Sequence, residues 1–306
     1  MDEQLVRYDE GLTDSRRWDG FELRPGDIVI STPSKCGTTW LQMICALLVF
    51  QTPHLPDPLT RLSPWLDMRL RPREEVHELL RRQQHRRVIK THTPLDGLPW
   101  SPEVTYVVAG RDPRDVAVSM EHHRSNLDGQ VIEQALAAVA TGDDTAPQPP
   151  RARPATRRER LLEWVEGGGL QGLVWHLQTA WERSGHDNLV LMHYTDMSED
   201  PPGRMKELAD RLQINVPAAA WPDLVEAASF AGMRRQARRV VPDEQMGLFR
   251  DHQRFFRSGT VGQWRENFDE ELHHRYESAL HRLVPDPPMA HWLHHGTGGE
   301  VDRAGP

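Results

Sequence analysis

The run Asp27-Ile28-Val29-Ile30-Ser31, followed by Thr32-Pro33-Ser34-Lys35-Cys36-Gly37-Thr38-Thr39 and the apolar segment 40–50, decides the fold class. The first five residues are a short apolar run bounded by a turn at Arg24-Pro25-Gly26, which reads as a buried strand. Segment 40–50 has the length and apolar content of a helix. Strand, small-residue loop and helix make the first half of an α/β unit. Such a loop gathers backbone N–H groups and a helix N-terminus into an anion site. Gly37 permits close approach of the backbone, and Thr38 and Thr39 add hydroxyl donors.

Outward from this unit the pattern repeats. Residues 87–90 (RVIK), 104–109 (VTYVVA, broken by Gly110) and 188–193 (NLVLMH) read as further strands, with helices expected at 113–124 and 202–212. Strands separated by helices of this length predict an α/β fold, one domain built on a central parallel sheet flanked by helices. Two stretches break the rhythm. Residues 127–172 hold a Pro- and Arg-rich run and Gly167-Gly168-Gly169, and are expected to be an insertion or lid. Residues 296–306 read as a flexible tail, leaving 1–295 as the domain.

The chain has 306 residues, 38% of them hydrophobic, with a net charge of −8 and a mean hydropathy of −0.65. No apolar run reaches the roughly 18 to 20 residues of a membrane span. The first residues lack the basic and apolar regions of a secretory signal, so a cytoplasmic location is expected. Two cysteines, Cys36 and Cys45, are too few for a disulfide scaffold. The acidic balance argues against a nucleic-acid partner. Of 37 basic residues only Lys35, Lys90 and Lys206 are lysine. A compact ammonium can do what a planar guanidinium cannot, and two of the three fall in the segments below.

The loop is not that of a nucleotide triphosphatase, which needs G-x-x-x-x-G-K-[ST]. Here Thr32 stands five residues before Gly37, Thr38 follows it, and the lysine precedes the glycine by two. With the rest of the chain the pattern becomes specific. Thr32 to Trp40 resembles the 5′-phosphosulfate loop (Y-P-K-S-G-T-T-W) of the cytosolic-type sulfotransferases. Arg111-Asp112-Pro113-Arg114-Asp115-Val116-Ala117-Val118-Ser119 is similar to their 3′-phosphate segment. Arg257-Ser258-Gly259-Thr260-Val261-Gly262-Gln263-Trp264 is similar to their R-K-G-x-x-G-x-W signature. Lys90-Thr91-His92-Thr93-Pro94-Leu95 resembles the K-T-H-x-P-L segment that carries their catalytic histidine. Ser63-Pro64-Trp65-Leu66-Asp67 also resembles the bacterial glycolipid enzymes. The departures are Thr32 for tyrosine, Cys36 for serine and Ser258 for lysine, the last removing a cation from the 3′-phosphate end. The dimer motif of the animal enzymes is not evident after residue 270.

The resemblance implies transfer of a sulfuryl group from 3′-phosphoadenosine 5′-phosphosulfate (PAPS), releasing 3′,5′-ADP, with no metal. His92 would be the general base, since histidine has a suitable ordinary pKa. Lys35 would stabilise charge on the leaving oxygen, and Lys90 would orient the sulfuryl oxygens. Lys35, Cys36, Gly37, Thr38 and Thr39 would hold the 5′-phosphate. Arg111, Ser119, Arg257, Ser258 and Gly259 would hold the 3′-phosphate, arginine offering paired donors. Trp40 would stack on adenine, with Tyr194, Ser229 and Phe230 around the base. Core packing is the alternative for Trp40 and Phe230, and a plain helix-face charge for Arg114.

His122-His123 and His273-His274 lack metal-ligand spacing and read as solvated helix residues. Cys36, at a helix N-terminus beside Lys35, would have a lowered pKa and alkylate readily, or else be an inert loop cysteine. The acceptor could be a glycolipid, a phenol or a secondary-metabolite hydroxyl, walled by 62–68, 127–172 and 240–256. Two rival readings are an ATP-dependent small-molecule kinase and a nucleotide-binding protein without catalysis.

Overall fold

A computed structural model describes residues 5–139, 154–242 and 246–297. Its sheet has four strands, β1 (Ile28–Ser31), β2 (Val88–Thr91), β3 (Thr105–Gly110) and β4 (Leu189–His193). They lie in the order β2-β1-β3-β4, every neighbouring pair parallel. All four predicted strands are present, each bound within one residue of its expected place. Gly110 does not break β3; it pairs with His193 as the strand's last residue.

The strands are mostly apolar and almost wholly buried because helices cover both faces. Alternation along each strand sends side chains to opposite sides. Ile28, Ile30, Val107 and Ala109 join the cluster around helix α1 (Thr38–Phe50). Val29, Tyr106 and Val108 join the opposite cluster. α2 (Pro113–Asn126) follows β3, starting on Asp112, whose side chain accepts the Arg114 N–H, with Pro113 at its first position. In α1, Leu41, Leu47 and Leu48 are fully buried, and truncating one to alanine would cost about 2 to 5 kcal/mol.

The range 127–172 divides. Its first part holds α3 (Gly129–Val139), which has no buried residue, and 140–153 lie outside the described residues. Its last part is core rather than lid. Leu161, Trp164 and Val165 of α4 (Arg157–Glu166) and Leu170 of α5 (Gly169–Trp181) are buried in the first cluster. The triple glycine is a tight corner between these helices. A Cβ at Gly169 would lie 2.5 Å from the Trp164 ring, so only glycine lets α5 begin there.

The helix expected at 202–212 is α6 (Pro201–Arg211), and the chain closes with α7 (Glu270–Leu283) and α8 (Pro287–His295). The start of the expected tail is tied down: the Thr297 N–H and hydroxyl both donate to Asp196. Residues 298–306 lie outside the described residues. Among the described residues no helix is long and apolar enough to cross a membrane.

Candidate active site

The loops that leave the four strands converge on one cavity of about 390 Å³, at the end of a parallel sheet where such folds place ligands. Between β1 and α1 the backbone turns through two left-handed residues, Lys35 (φ 71°) and Gly37 (φ 93°). A lysine in that conformation is uncommon, and strain of this kind persists where surrounding structure holds it. At Gly37 a Cβ would come within 3.1 Å of the Tyr194 ring. α1 begins immediately after, its first N–H groups directed at the loop.

Lys35, Gly37, Thr38, Thr39 and Trp40 line the cavity, as do Lys90, His92, Arg111, Ser119, Tyr194, Ser229, Phe230, Arg257, Ser258 and Gly259. Cys36 alone of the expected residues does not. Its N–H donates to the Pro33 carbonyl and its side chain is fully buried in the core. Burial pushes its thiol up to about 12, outweighing the nearby Arg111 and Lys35, so the reactive-thiol expectation is overturned and the inert alternative holds.

Two segments distant in sequence are drawn together by Asp115 on α2. Its carboxylate accepts the Gly262 N–H at 2.7 Å and the Trp264 N–H at 3.0 Å. Arg111 donates to the Lys35 carbonyl at 3.2 Å and to the Thr260 carbonyl at 3.3 Å, and lies 4.1 Å over the Tyr194 ring. Its Nε is buried without a partner. Arg114 is no free helix-face charge: it grips Asp112 through two bonds and lies 3.8 Å from the Trp264 ring centre. Trp40 meets Tyr194 edge to face at 5.5 Å, so the two rings frame one wall of the cavity.

His92 follows β2. Its Nδ1 lies 2.6 Å from the Thr32 carbonyl oxygen, so the neutral ring donates from Nδ1. Burial first, and then Lys90, hold its pKa well below the ordinary value. Lys90 is buried with its ammonium 3.5 Å from the Trp65 ring centre. Burial lowers it to about 7, Asp67 opposing and Lys35 assisting. Burial and then Arg111 lower Lys35 to about 8. Four nitrogen groups thus face one cavity with little counter-charge, which is what an anionic ligand would supply.

Three functional neighbours escaped the sequence reading. Asp67 is buried, and one of its oxygens accepts from the Thr91 hydroxyl, the His92 N–H and the Thr93 hydroxyl. His176 reaches from α5 to the Ser31 hydroxyl at 2.9 Å. His123 is not solvated: it lines the cavity, and its Nδ1 accepts from Lys35 at 3.4 Å. Its partner His122 is half-buried and accepts from Arg157 at 2.8 Å. His273 stacks on Trp264, whereas His274 is exposed. No periodicity marks these contacts; only Asp67 sat in a segment whose wording drew notice. The lining also holds apolar side chains, Met68, Leu127, Ile132, Leu248 and Phe249 among them, while Trp65 lies against Lys90 and His92 and Phe255 against Lys35.

Comparison with known proteins gives the family. The sulfotransferase-domain family matches residues 25–288. The glycolipid sulfotransferase of Mycobacterium bovis (strain BCG / Pasteur 1173P2) is 39% identical over 313 residues, 96% of this chain and 95% of that protein. Two solved structures share the fold. Mouse sulfotransferase SULT7A1 complexed with PAP superposes with a TM-score of 0.69 at 20% identity, over 94% of this chain and 97% of that one. Retinol dehydratase in complex with retinol and PAP gives 0.68 at 22% identity, over 89% and 84%. A match over most of the length, carried by a relative this similar from end to end, leaves one conclusion: the chain belongs to the sulfotransferase-domain family and is a sulfotransferase.

Proposed function

We propose that the protein moves a sulfuryl group from PAPS to a hydroxyl of a glycolipid. The observation that carries this is the meeting of Lys35, Lys90 and His92 with the phosphate loop, Arg111 and Arg257 in one cavity. The residues fit the nucleotide. The loop offers N–H groups and hydroxyls for a 5′-phosphate, Arg111 has an unpartnered Nε, and Trp40 with Tyr194 offers aromatic surface for a base. Relatives named glycolipid sulfotransferases and the apolar lining residues together favour an amphiphilic acceptor over a phenol. The kinase alternative falls with the family assignment.

PAPS supplies a sulfur centre with a phosphate leaving group. His92 accepts the proton of the attacking hydroxyl at Nε2, because Nδ1 is committed to Thr32. Lys35 places its ammonium where charge grows on the leaving oxygen, and Lys90 holds the sulfuryl oxygens. Asp67 fixes the 91–93 turn that aims His92. Helix α3, which contributes Ile132 to the apolar lining, bounds the acceptor side, so shortening it would raise the acceptor KM more than the PAPS KM.

The deciding experiment is thermal stability with 3′,5′-ADP, 5′-ADP or ATP plus magnesium, each at equal concentration. A ligand at 100 times its Kd stabilises by about 2.7 kcal/mol. Selective stabilisation by 3′,5′-ADP is expected. Equal response to all three, or preference for ATP, would overturn the proposal. Sulfate transfer from PAPS to a glycolipid extract then tests the acceptor.

A further inference from the structure

Position 258 holds serine where the family resemblance implies lysine, so the 3′-phosphate end has lost a cation. Ser258 contributes only a hydroxyl, which accepts from Gln263 at 2.5 Å and from Thr260 at 3.3 Å. A terminal phosphate carries up to two negative charges, and Arg111 and Arg257 remain to meet it.

A third guanidinium lies close by on a different element. Arg157 is the first residue of α4, where a cation faces the positive end of the helix and does nothing for it. Its Nη2 donates to His122 Nε2 at 2.8 Å, while its Nε is buried without a partner. No carboxylate among the described residues pairs with it. His122 lies three residues after Ser119 on α2, so the two share a face; Ser119 and Arg257 both line the cavity, and His122 and Arg157 stand outside its lining. Burial, then Arg257 and Arg157, push His122 down to about 4. His122 is therefore neutral and can only steady the guanidinium, not neutralise it. Arg257 is lowered by burial and then by the charges of Arg157 and Arg111, so the three guanidinium groups lie within electrostatic reach of one another.

We infer that Arg157 supplies the cation missing at position 258 and closes on the 3′-phosphate of the nucleotide. The inference rests on the PAPS reading above and extends it to a residue outside the three nucleotide segments of the sequence. His122 acts as the positioning residue that holds the guanidinium toward that phosphate.

The test is the affinity of the full chain for 3′,5′-ADP and 5′-ADP, by calorimetry, in wild type, Arg157→Ala, Arg157→Gln and Arg157→Ala with Ser258→Lys. Losing a charge-assisted phosphate contact should weaken 3′,5′-ADP about tenfold, with 5′-ADP moving less than twofold. In turnover the loss should fall on the PAPS KM rather than on kcat. Ser258→Lys should restore most of the lost affinity, because it returns a cation to the same phosphate. Equal weakening of both nucleotides would mark Arg157 as structural and overturn the inference, as would unchanged 3′,5′-ADP affinity or failure of the lysine to rescue. If wild type does not distinguish the two nucleotides, the PAPS reading itself fails.

Discussion

Nδ1 of His92 lies 2.6 Å from the carbonyl oxygen of Thr32, and this contact decides which ring nitrogen can take a proton. A carbonyl only accepts, so Nδ1 carries the hydrogen and Nε2 keeps its lone pair. Burial and then Lys90 keep the ring neutral. On the proposed reading the base is ready before any substrate arrives, and Thr32, where the family pattern has tyrosine, contributes through its backbone.

His92→Ala should therefore lower kcat by about 100- to 10,000-fold while leaving stabilisation by 3′,5′-ADP intact. Because its pKa is depressed, the acidic limb of kcat/KM should lie below pH 6.5. A limb centred at or above the ordinary histidine value would exclude His92 as the base.

The alkaline limb has a different origin. Lys35 and Lys90 are lowered to about 8 and about 7 in the free enzyme, and in the proposed mechanism both act as ammonium groups. As pH rises through 7 to 8 they lose their protons, so kcat/KM for PAPS, which reports the free enzyme, should fall across that window. Bound anion favours the charged amines, so the limb of kcat should sit higher. A pH–rate series at saturating and at low PAPS checks both, and coincident limbs would refute the assignment.

The same lysines make stability depend on pH. Between their folded values and the ordinary lysine value, the unfolded chain binds more protons than the folded one. Stability of the nucleotide-free protein should thus rise with pH from about 7 to about 10. Lys90→Met removes a buried charge, and with it that part of the rise in stability with pH. Its Tm relative to wild type should therefore be highest at or below pH 7 and should fall as pH rises, while activity is lost. A constant gap across pH would contradict the buried-ammonium account.

How much of this was legible in the sequence follows from which forces are local. The strands showed as apolar runs because both sheet faces are covered, and the loop showed because Gly37 and its threonines are contiguous. The residues that line the cavity could be named from motif wording, and Cys36 is the exception: its side chain packs inward, beyond what adjacency to Lys35 could reveal. The glycine corner at 167–169 reads as a loop in isolation and became a helix junction only through contact with Trp164. His123, His176 and Arg157 reach their partners across 88, 145 and 35 residues. Such contacts exist only after the sheet has brought α2, α4 and α5 together, and no spacing rule encodes them.

Cys36 and Cys45 are both fully buried and both thiols are pushed up to about 12. Neither should react with iodoacetamide in the native protein, with or without nucleotide, and both should label once the chain is unfolded. Mass mapping after brief alkylation measures this. Native labelling of Cys36 that 3′,5′-ADP blocks would restore the reactive-thiol reading.

Asp67 ties the acid–base and charge arguments together. One of its oxygens accepts three hydrogen bonds, at 2.6 Å from Thr91, 2.9 Å from the His92 N–H and 2.8 Å from Thr93, and its charge supports the Lys90 ammonium. Asp67→Ala leaves three buried donors without a partner, each costing about 1 to 3 kcal/mol, so a large fall in Tm is expected. Asp67→Asn keeps an accepting oxygen and the volume but loses the charge. Its fold should survive, Lys90 should deprotonate more easily, and the alkaline limb of kcat/KM should move to lower pH. The limb and the fold thus separate the two roles of one side chain. An Asp67→Asn enzyme whose alkaline limb matches wild type would show that Asp67 only braces the turn.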